Sequence, residues 1–202
     1  MTEMEKARAG LEFIRGDATL RSIRERAESL CFRLNHTPPE EGEKRSAILM
    51  ELIPKQGENC FIKPPFLCDY GEFIVLGKNF FANYGCKFVD GGTIRFGDDV
   101  LVGPGCTFVT VNHALEPERR LAGIMQCKGI TVGNNVWFGA EVTVCPGVTI
   151  GDDCVIGAGS VVVKDIPSGS IAVGNPCRVV RKAGEKENWK NLKKGVDKWG
   201  MV

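Results

Sequence analysis

The sequence lacks any long apolar run and any large excess of charge. No stretch approaches the length of a membrane span. The first ten residues, MTEMEKARAG, contain no apolar segment typical of a secretory signal. The formal net charge is +1, which gives no broad electrostatic case for binding nucleic acid or anionic lipid, and any basic site must be local. We therefore expect a cytoplasmic protein that binds neither nucleic acid nor a membrane.

Histidine is scarce, and the cysteines follow no regular spacing. The 202 residues include two histidines, His36 and His113, and nine cysteines without a single C-x-x-C. An odd number of cysteines in a chain of this length argues against a disulfide framework and favours reduced thiols. Two histidines cannot build a three-histidine zinc site. We expect no metal requirement.

The sequence does contain a six-residue repeat. From residue 132 it reads VGNNVW FGAEVT VCPGVT IGDDCV IGAGSV. Neither a helix, with a period of about 3.6 residues, nor a strand, with a period of about 2, explains this spacing, and ordinary hairpins would not keep it in phase. The large residues and the smaller ones four positions later are Val132, Phe138, Val144, Ile150, Ile156, Val162 and Val136, Val142, Val148, Cys154, Ser160.

Six residues suffice for a short strand and a sharp turn. Three hexads would form a triangular coil with one large and one small side chain pointing inward from each face, and stacked coils would pair their strands in parallel. Cys86, Cys106 and Cys154 fall on the small inward position, which indicates core packing. The glycines that follow the large residues are expected at corners with unusual backbone angles.

The N-terminal part follows a helical period instead. Residues 19–34 carry apolar side chains at helical spacing, with Asp17 or Thr19 as the candidate cap. Two consecutive prolines end this helix, and a second helix is expected over residues 40–53. The tail could be a short helix packed by Trp189 and Trp199 or a loose end. The predicted parts are a helical cap, the coil and the tail, at residues 1–58, 59–182 and 183–202.

Several segments resemble the hexapeptide-repeat acyltransferases, and in particular the galactoside and maltose O-acetyltransferases. They are NHALEPERR in the segment that interrupts the hexads, LNHTPPEEGEKRSAILMELI in the cap, FFANYG, and GAGSVVVKDIP followed by VGNPCRVVR. The resemblance covers residues 1 to about 182. It implies a left-handed parallel β-helix with a small N-terminal α-helical cap, and a homotrimer with sites between subunits. It also implies transfer of an acetyl group from acetyl-CoA to a sugar hydroxyl.

The resemblance assigns the catalytic roles to His113 and Asn83. A sugar hydroxyl is a poor nucleophile while protonated, and histidine is the residue type that titrates nearest neutrality, so His113 would act as the general base. Asn83 would hold the hydroxyl and steady the developing charge. His36, in the cap, is expected to be structural or exposed. Trp137 is expected to line an interface or a pocket wall.

Coenzyme A carries several phosphates, which call for cations or free amides. Arginine suits phosphate through its forked geometry, and the backbone N–H near Ala140 is a candidate oxyanion donor. The positions implied for acetyl-CoA are Asn83, Ala140, Ala158, Val163, Lys164, Arg178 and Arg181.

The acceptor side departs from the family pattern. Arg15 and Gly91 stand where the family or its galactoside enzyme has an acceptor-binding aspartate, with Asp17 and Asp90 close by. These differences concern the choice of acceptor rather than acetyl transfer. A hydroxyl on a non-sugar molecule or an antibiotic, and a catalytically silent trimeric scaffold, stay open as alternatives. The implied acceptor residues are Asp69, Asn83, Asp90, Met125, Arg15 and Asp17.

Overall fold

The computed structural model describes residues 1–184, and the two conformations expected for the tail concern residues outside that range. Asp17 caps the second helix, as predicted, by accepting a hydrogen bond from the Leu20 amide at 3.0 Å. The first helix was not predicted from the sequence. No helix in the described part is long and apolar enough to cross a membrane. The helices are α1 (Glu3–Arg8), α2 (Ala18–His36), α3 (Gly42–Leu52) and α4 (Pro117–Leu121).

Short strands make up most of the rest of the chain. They are β1 (Glu12–Ile14), β2 (Phe61–Ile62), β3 (Leu67–Cys68), β4 (Ile74–Val75), β5 (Phe81–Ala82), β6 (Lys87–Val89), β7 (Ile94–Phe96), β8 (Leu101–Val102), β9 (Thr107–Val109), β10 (Val111–His113), β11 (Ile124–Cys127), β12 (Ile130–Val132), β13 (Trp137–Phe138), β14 (Thr143–Val144), β15 (Thr149–Ile150), β16 (Val155–Ile156), β17 (Val161–Val162), β18 (Ser170–Val173) and β19 (Arg178–Lys182).

The strands from β2 to β18, apart from β10 and β11, wind into a left-handed parallel β-helix, as expected. Its three faces are the sheets β4-β7-β12-β15, β2-β5-β8-β13-β16-β18 and β3-β6-β9-β14-β17, and β19 closes the second sheet by antiparallel pairing with β18. Coil length is not uniform. Phe61 pairs with Phe81, 20 residues later, whereas Trp137 pairs with Val155, 18 residues later, as three hexads require.

The repeat positions face the interior, as predicted. All eleven residues of the two series, between Val132 and Val162, are at most 3% exposed. Phenylalanines of neighbouring positions contact one another edge to face along the axis: the ring centroid of Phe108 lies 5.1 Å from that of Phe88, 4.9 Å from Phe96 and 5.2 Å from Phe138. The stacked coils therefore share one continuous core.

The predicted inward cysteines are core residues. Cys86, Cys106 and Cys154 are at most 1% exposed. Burial raises the pKa of the Cys86 thiol to about 12 and that of Cys106 to about 11. Such thiols stay protonated and are poor nucleophiles.

The expected reason for the corner glycines was wrong. Gly77 and its equivalents do not adopt left-handed backbone angles; a Cβ at Gly77 would overlap the Gly97 carbonyl of the next coil. Left-handed corners do occur at other glycines, such as Gly105 (φ 73°), and a separate column of them is held by Asn79 (φ 55°), Asp99 (φ 60°) and others like them. Their side chains form a ladder, in which the Asn79 amide donates to Asp99 Oδ1 at 2.9 Å. Asparagine and aspartate tolerate this region better than other residues with a Cβ.

The helical cap and the coil share their core. Leu30 and Leu34 of α2 and Leu52 of α3 belong to the same buried cluster as the phenylalanines of the coil. A second, smaller cluster lies under the start of the cap and contains Ala7, Phe13, Leu20, Tyr70, Phe73 and Cys127. The first bridge of the coil, Gln56 with Leu76, falls close to the predicted boundary at residues 58 and 59.

Candidate active site

An antiparallel hairpin leaves the coil between β9 and β12 and carries His113. Leu101 pairs with Trp137 across 36 residues, so the coil resumes in register after the interruption. His113, the last residue of β10, lies opposite Met125 of β11. Strand β1 of the cap adds to the other side of β11, with Phe13 opposite Met125. The cap therefore braces the strand pair that presents the exposed imidazole.

A cavity of about 580 Å³ opens beside this three-stranded sheet; we call it the His113 cavity. It brings together five predicted site residues: the catalytic candidate His113 and the acceptor candidates Arg15, Asp17, Asp69 and Met125. A smaller cavity of about 330 Å³ on the other side of the hairpin is also lined by His113. The remaining walls of the larger one are Phe13, Gly16, Leu20, Arg21, Arg24, Tyr70, Val89 and Val111.

Asp69 lies on the coil side of the His113 cavity. Burial raises the pKa of its carboxyl, while the nearby positive charge of Arg24 acts in the opposite direction. Its neighbour Tyr70 stacks on Phe73, with ring centroids 5.0 Å apart. The wall that an acceptor would meet here combines a partly desolvated carboxyl with an aromatic surface.

Asp90 lies behind this wall rather than on it, which differs from its predicted contact with the acceptor. The residue is 0% exposed, and its Oδ1 accepts hydrogen bonds from the amides of Asp69 and Tyr70, both at 2.9 Å. Its Oδ2 is buried without a hydrogen-bond partner. Burial raises the pKa of Asp90 to about 7. The carboxyl thus positions the backbone of Asp69 instead of touching the cavity.

Arg21 and Arg24 were not predicted as site residues. Both stand on the face of α2 that begins at Asp17, and this helical spacing was the signal that could have found them. Arg24 Nη2 donates to the Tyr70 hydroxyl at 2.6 Å, and its guanidinium carbon lies 5.0 Å from the centre of that ring. The hydrogen bond and the ring contact hold the side chain against the cavity wall.

A separate groove of about 500 Å³ runs along the second sheet and contains Asn83 and Ala140. Exposed Trp137 lines it, as expected, together with Phe81. Asn83 follows β5 and its Oδ1 accepts from the Tyr84 amide at 2.9 Å. None of the cavities described within residues 1–184 contains both His113 and Asn83.

The other predicted acetyl-CoA residues stand towards the C-terminal end of the coil. Ala158 extends the corner column of the groove beyond Ala140, because the amide of the next residue, Gly159, donates to the Ala140 carbonyl at 2.8 Å. Val163 and Lys164 follow β17, and Arg178 and Arg181 lie on β19. All five residues are exposed. They line neither the groove nor the His113 cavity, so one chain does not gather the full predicted set.

Two family models match the chain. The model described as "Bacterial transferase hexapeptide (six repeats)" matches residues 129–164. The model described as "Maltose acetyltransferase hexapeptide capping motif" matches residues 6–57. The first match lies in the coil after the hairpin, and the second spans α2 and α3 together with β1.

Named proteins are similar over nearly the whole length. Galactoside O-acetyltransferase of Escherichia coli (strain K12) is 42% identical over 187 residues, which are 93% of this chain and 92% of that protein. A solved structure of a galactoside acetyltransferase in complex with coenzyme A has a TM-score of 0.87 at 43% identity, covering 90% and 91% of the two chains. A maltose O-acetyltransferase from Clostridium difficile 630 has a TM-score of 0.90 at 43% identity, covering 92% and 99%. The similarity therefore includes the cap, the coil and the hairpin.

Proposed function

Because the chain belongs to the hexapeptide-repeat acetyltransferases, in the family of the galactoside and maltose O-acetyltransferases, we propose that it moves an acetyl group from acetyl-CoA to a sugar hydroxyl with His113 as general base. The observation that carries the proposal is the exposed imidazole at the end of β10, beside a cavity lined by polar and charged side chains. A cavity of about 580 Å³ is within the usual size of small-molecule sites.

The proposed reaction needs one proton acceptor that later returns the proton. The imidazole of His113 removes the hydroxyl proton as the oxygen attacks the thioester carbonyl. The tetrahedral intermediate collapses by breaking the carbon–sulfur bond, and the departing thiolate takes the proton from the imidazolium. The products are an acetyl ester and free CoA, and the histidine returns to its starting state. The backbone N–H near Ala140 would stabilise the oxyanion.

We further propose that the site is completed in a homotrimer. His113 and Asn83 lie in separate cavities of one chain, so Asn83 of the partner subunit is the candidate to meet His113. Large apolar side chains are exposed on the hairpin, at Leu115 (89%) and Leu121 (85%), as they would be if the hairpin packs against a neighbouring coil. Trp137 and Phe81 provide an apolar surface on the groove.

Acetyl-CoA would then lie along the groove and the corner column above it. Ala140 and Ala158 would offer backbone contacts there, while Lys164, Arg178 and Arg181 would meet the phosphates. Asn83 would face both substrates. The nine free cysteines agree with a reducing compartment, which supports a place in the cytoplasm.

The two histidines allow a matched test of the base. His113→Ala should lower CoA release from acetyl-CoA in the presence of an acceptor by about 10²–10⁴-fold, because the general base is lost. His36→Ala is the control, since His36 lies in the cap, where its ring stacks on Phe32 and its Nδ1–H donates to the Phe32 carbonyl at 2.8 Å. Circular dichroism and size-exclusion chromatography should show the same fold and assembly for both variants.

A panel of monosaccharides, disaccharides, thiogalactosides and hydroxylated antibiotics decides the acceptor class. Thiol release and mass spectrometry of the product are the readouts. Turnover of antibiotics alone would contradict a sugar acceptor. No turnover of any compound, or full activity in His113→Ala, would contradict the proposed function and favour a silent scaffold or another base.

A further inference from the structure

The His113 cavity has more positive than negative side chains. Arg15, Arg21 and Arg24 line it, against the two carboxyls of Asp17 and Asp69. Neither carboxyl is fully available to balance the arginines. Asp17 accepts a hydrogen bond from the Leu20 amide at 3.0 Å, and burial raises the pKa of Asp69, which favours its neutral form. A neutral sugar would not need three guanidinium groups in a cavity of this size.

The three arginines differ from other arginines in how they are paired. Outside the cavity, Arg26 lies 3.9 Å from both Glu51 and Glu72, and Arg33 lies 3.5 Å from Glu51. Within residues 1–184, no ion pair within 4.0 Å is formed by Arg15, Arg21 or Arg24. The cavity therefore holds three positive side chains against two carboxyls, and none of the three is in a direct ion pair within the described residues.

Two of these arginines are held in place by neighbouring groups. The amide of Arg15 donates to the Gly123 carbonyl at 3.0 Å, and its side chain packs so closely that a Cβ at Gly123 would lie 3.1 Å from Arg15 Cγ. Arg24 is fixed on the ring and hydroxyl of Tyr70. Positioned guanidinium groups bind carboxylate and phosphate through two parallel hydrogen bonds.

Resting on the proposed function, we propose that the acceptor is an anionic sugar, whose carboxylate or phosphate is bound by Arg15, Arg21 and Arg24 while a hydroxyl faces His113. The arginines come from the first half of α2 and the turn before it, and His113 comes from the hairpin, so different elements of one cavity would bind the anionic group and the hydroxyl. The carboxylate and phosphate forms share this chemistry and are separated by the test.

Binding and turnover are measured on the same compounds. Isothermal titration compares galactose, galacturonate and galactose carrying a phosphate on its anomeric carbon, each with the full chain in the presence of CoA. We expect at least one charged sugar to bind more tightly than galactose by roughly tenfold or more, with the preference shrinking as salt is raised. Whichever charged sugar binds tighter identifies the anionic group.

The double variant Arg15→Gln with Arg21→Gln should remove the preference for the charged sugar. Arg33→Gln, on the same helix but outside the cavity, is the matched control and should keep it. The inference is overturned if galactose binds as tightly as both charged sugars, or if the double variant keeps the wild-type preference. The proposed function fails separately, if a bound sugar is not acetylated with release of CoA.

Discussion

The coil and the sheet that carries His113 are built on opposite plans. The coil stacks parallel strands around a continuous column of buried phenylalanines, and its side chains are committed to packing. The sheet formed by β1, β11 and β10 is antiparallel, short and supported by a cluster of six buried residues. The repeated coils supply the large buried core, and the hairpin that interrupts them presents the exposed side chain of His113.

The largest effect should come from the centre of the coil. Phe108→Ala removes a ring that contacts phenylalanines of three neighbouring positions and should lower the free energy of unfolding by about 3–5 kcal/mol. Urea titration followed by circular dichroism measures the change. Phe32→Ala is the control, since Phe32 is 63% exposed on the cap. Equal midpoints for the two variants would contradict a continuous core.

Asp90 connects the coil to the cluster that supports the His113 sheet, through its hydrogen bond from the Tyr70 amide. Its titration should make the free energy of unfolding depend on pH. Its pKa is about 7 in the folded protein, against an ordinary value of 3.8. Between these values the folded protein keeps a proton that the unfolded chain has lost, so stability falls as the pH rises from about 4 to about 7, by roughly 4 kcal/mol at most. Above about pH 7 Asp90 is ionised in both the folded and the unfolded chain, so it causes no further change in the free energy of unfolding.

Asp90→Asn should remove this dependence. The asparagine oxygen can still accept from the amides of Asp69 and Tyr70, but the side chain no longer titrates. Urea midpoints of the wild type and the variant are compared across the window. If both proteins change with pH in parallel, Asp90 is not the group responsible.

The smallest effect on global stability should come from Phe13, in the second cluster. Phe13→Ala weakens the contact between β1 and β11, so amide hydrogen exchange at Met125 and Gln126 should accelerate by about tenfold or more. Exchange at Val144, inside the coil, should not change. A matching acceleration at Val144 would show that the two regions unfold together.

The phase of the hexads could be predicted because it is local. Large residues six apart, such as Val132 and Phe138, can only be buried together if each hexad forms one side of a coil. The helices over 19–34 and 40–53 were predicted to within a few residues for the same reason, since their apolar spacing and the Asp17 cap are local signals. The interruption at His113 was visible against this background.

Other features depended on contacts between distant residues. Gly77 is required by the backbone of the next coil, and β1 pairs with a hairpin more than a hundred residues later. Asp90 was expected to face the acceptor, yet burial turns it towards two backbone amides. The hexads give the 18-residue register of Trp137 with Val155, but no local signal gives the 20-residue register of Phe61 with Phe81 or the pairing of β1 with β11.

From the sequence alone, the repeat, its inward series and the single histidine of the hairpin are determined, because each follows from spacing along the chain. The tertiary structure alone decided that three arginines and His113 share one cavity while Asn83 lies in another. The reason is physical: side chains from the cap, the coil and the hairpin meet only after a common core has brought their backbones together.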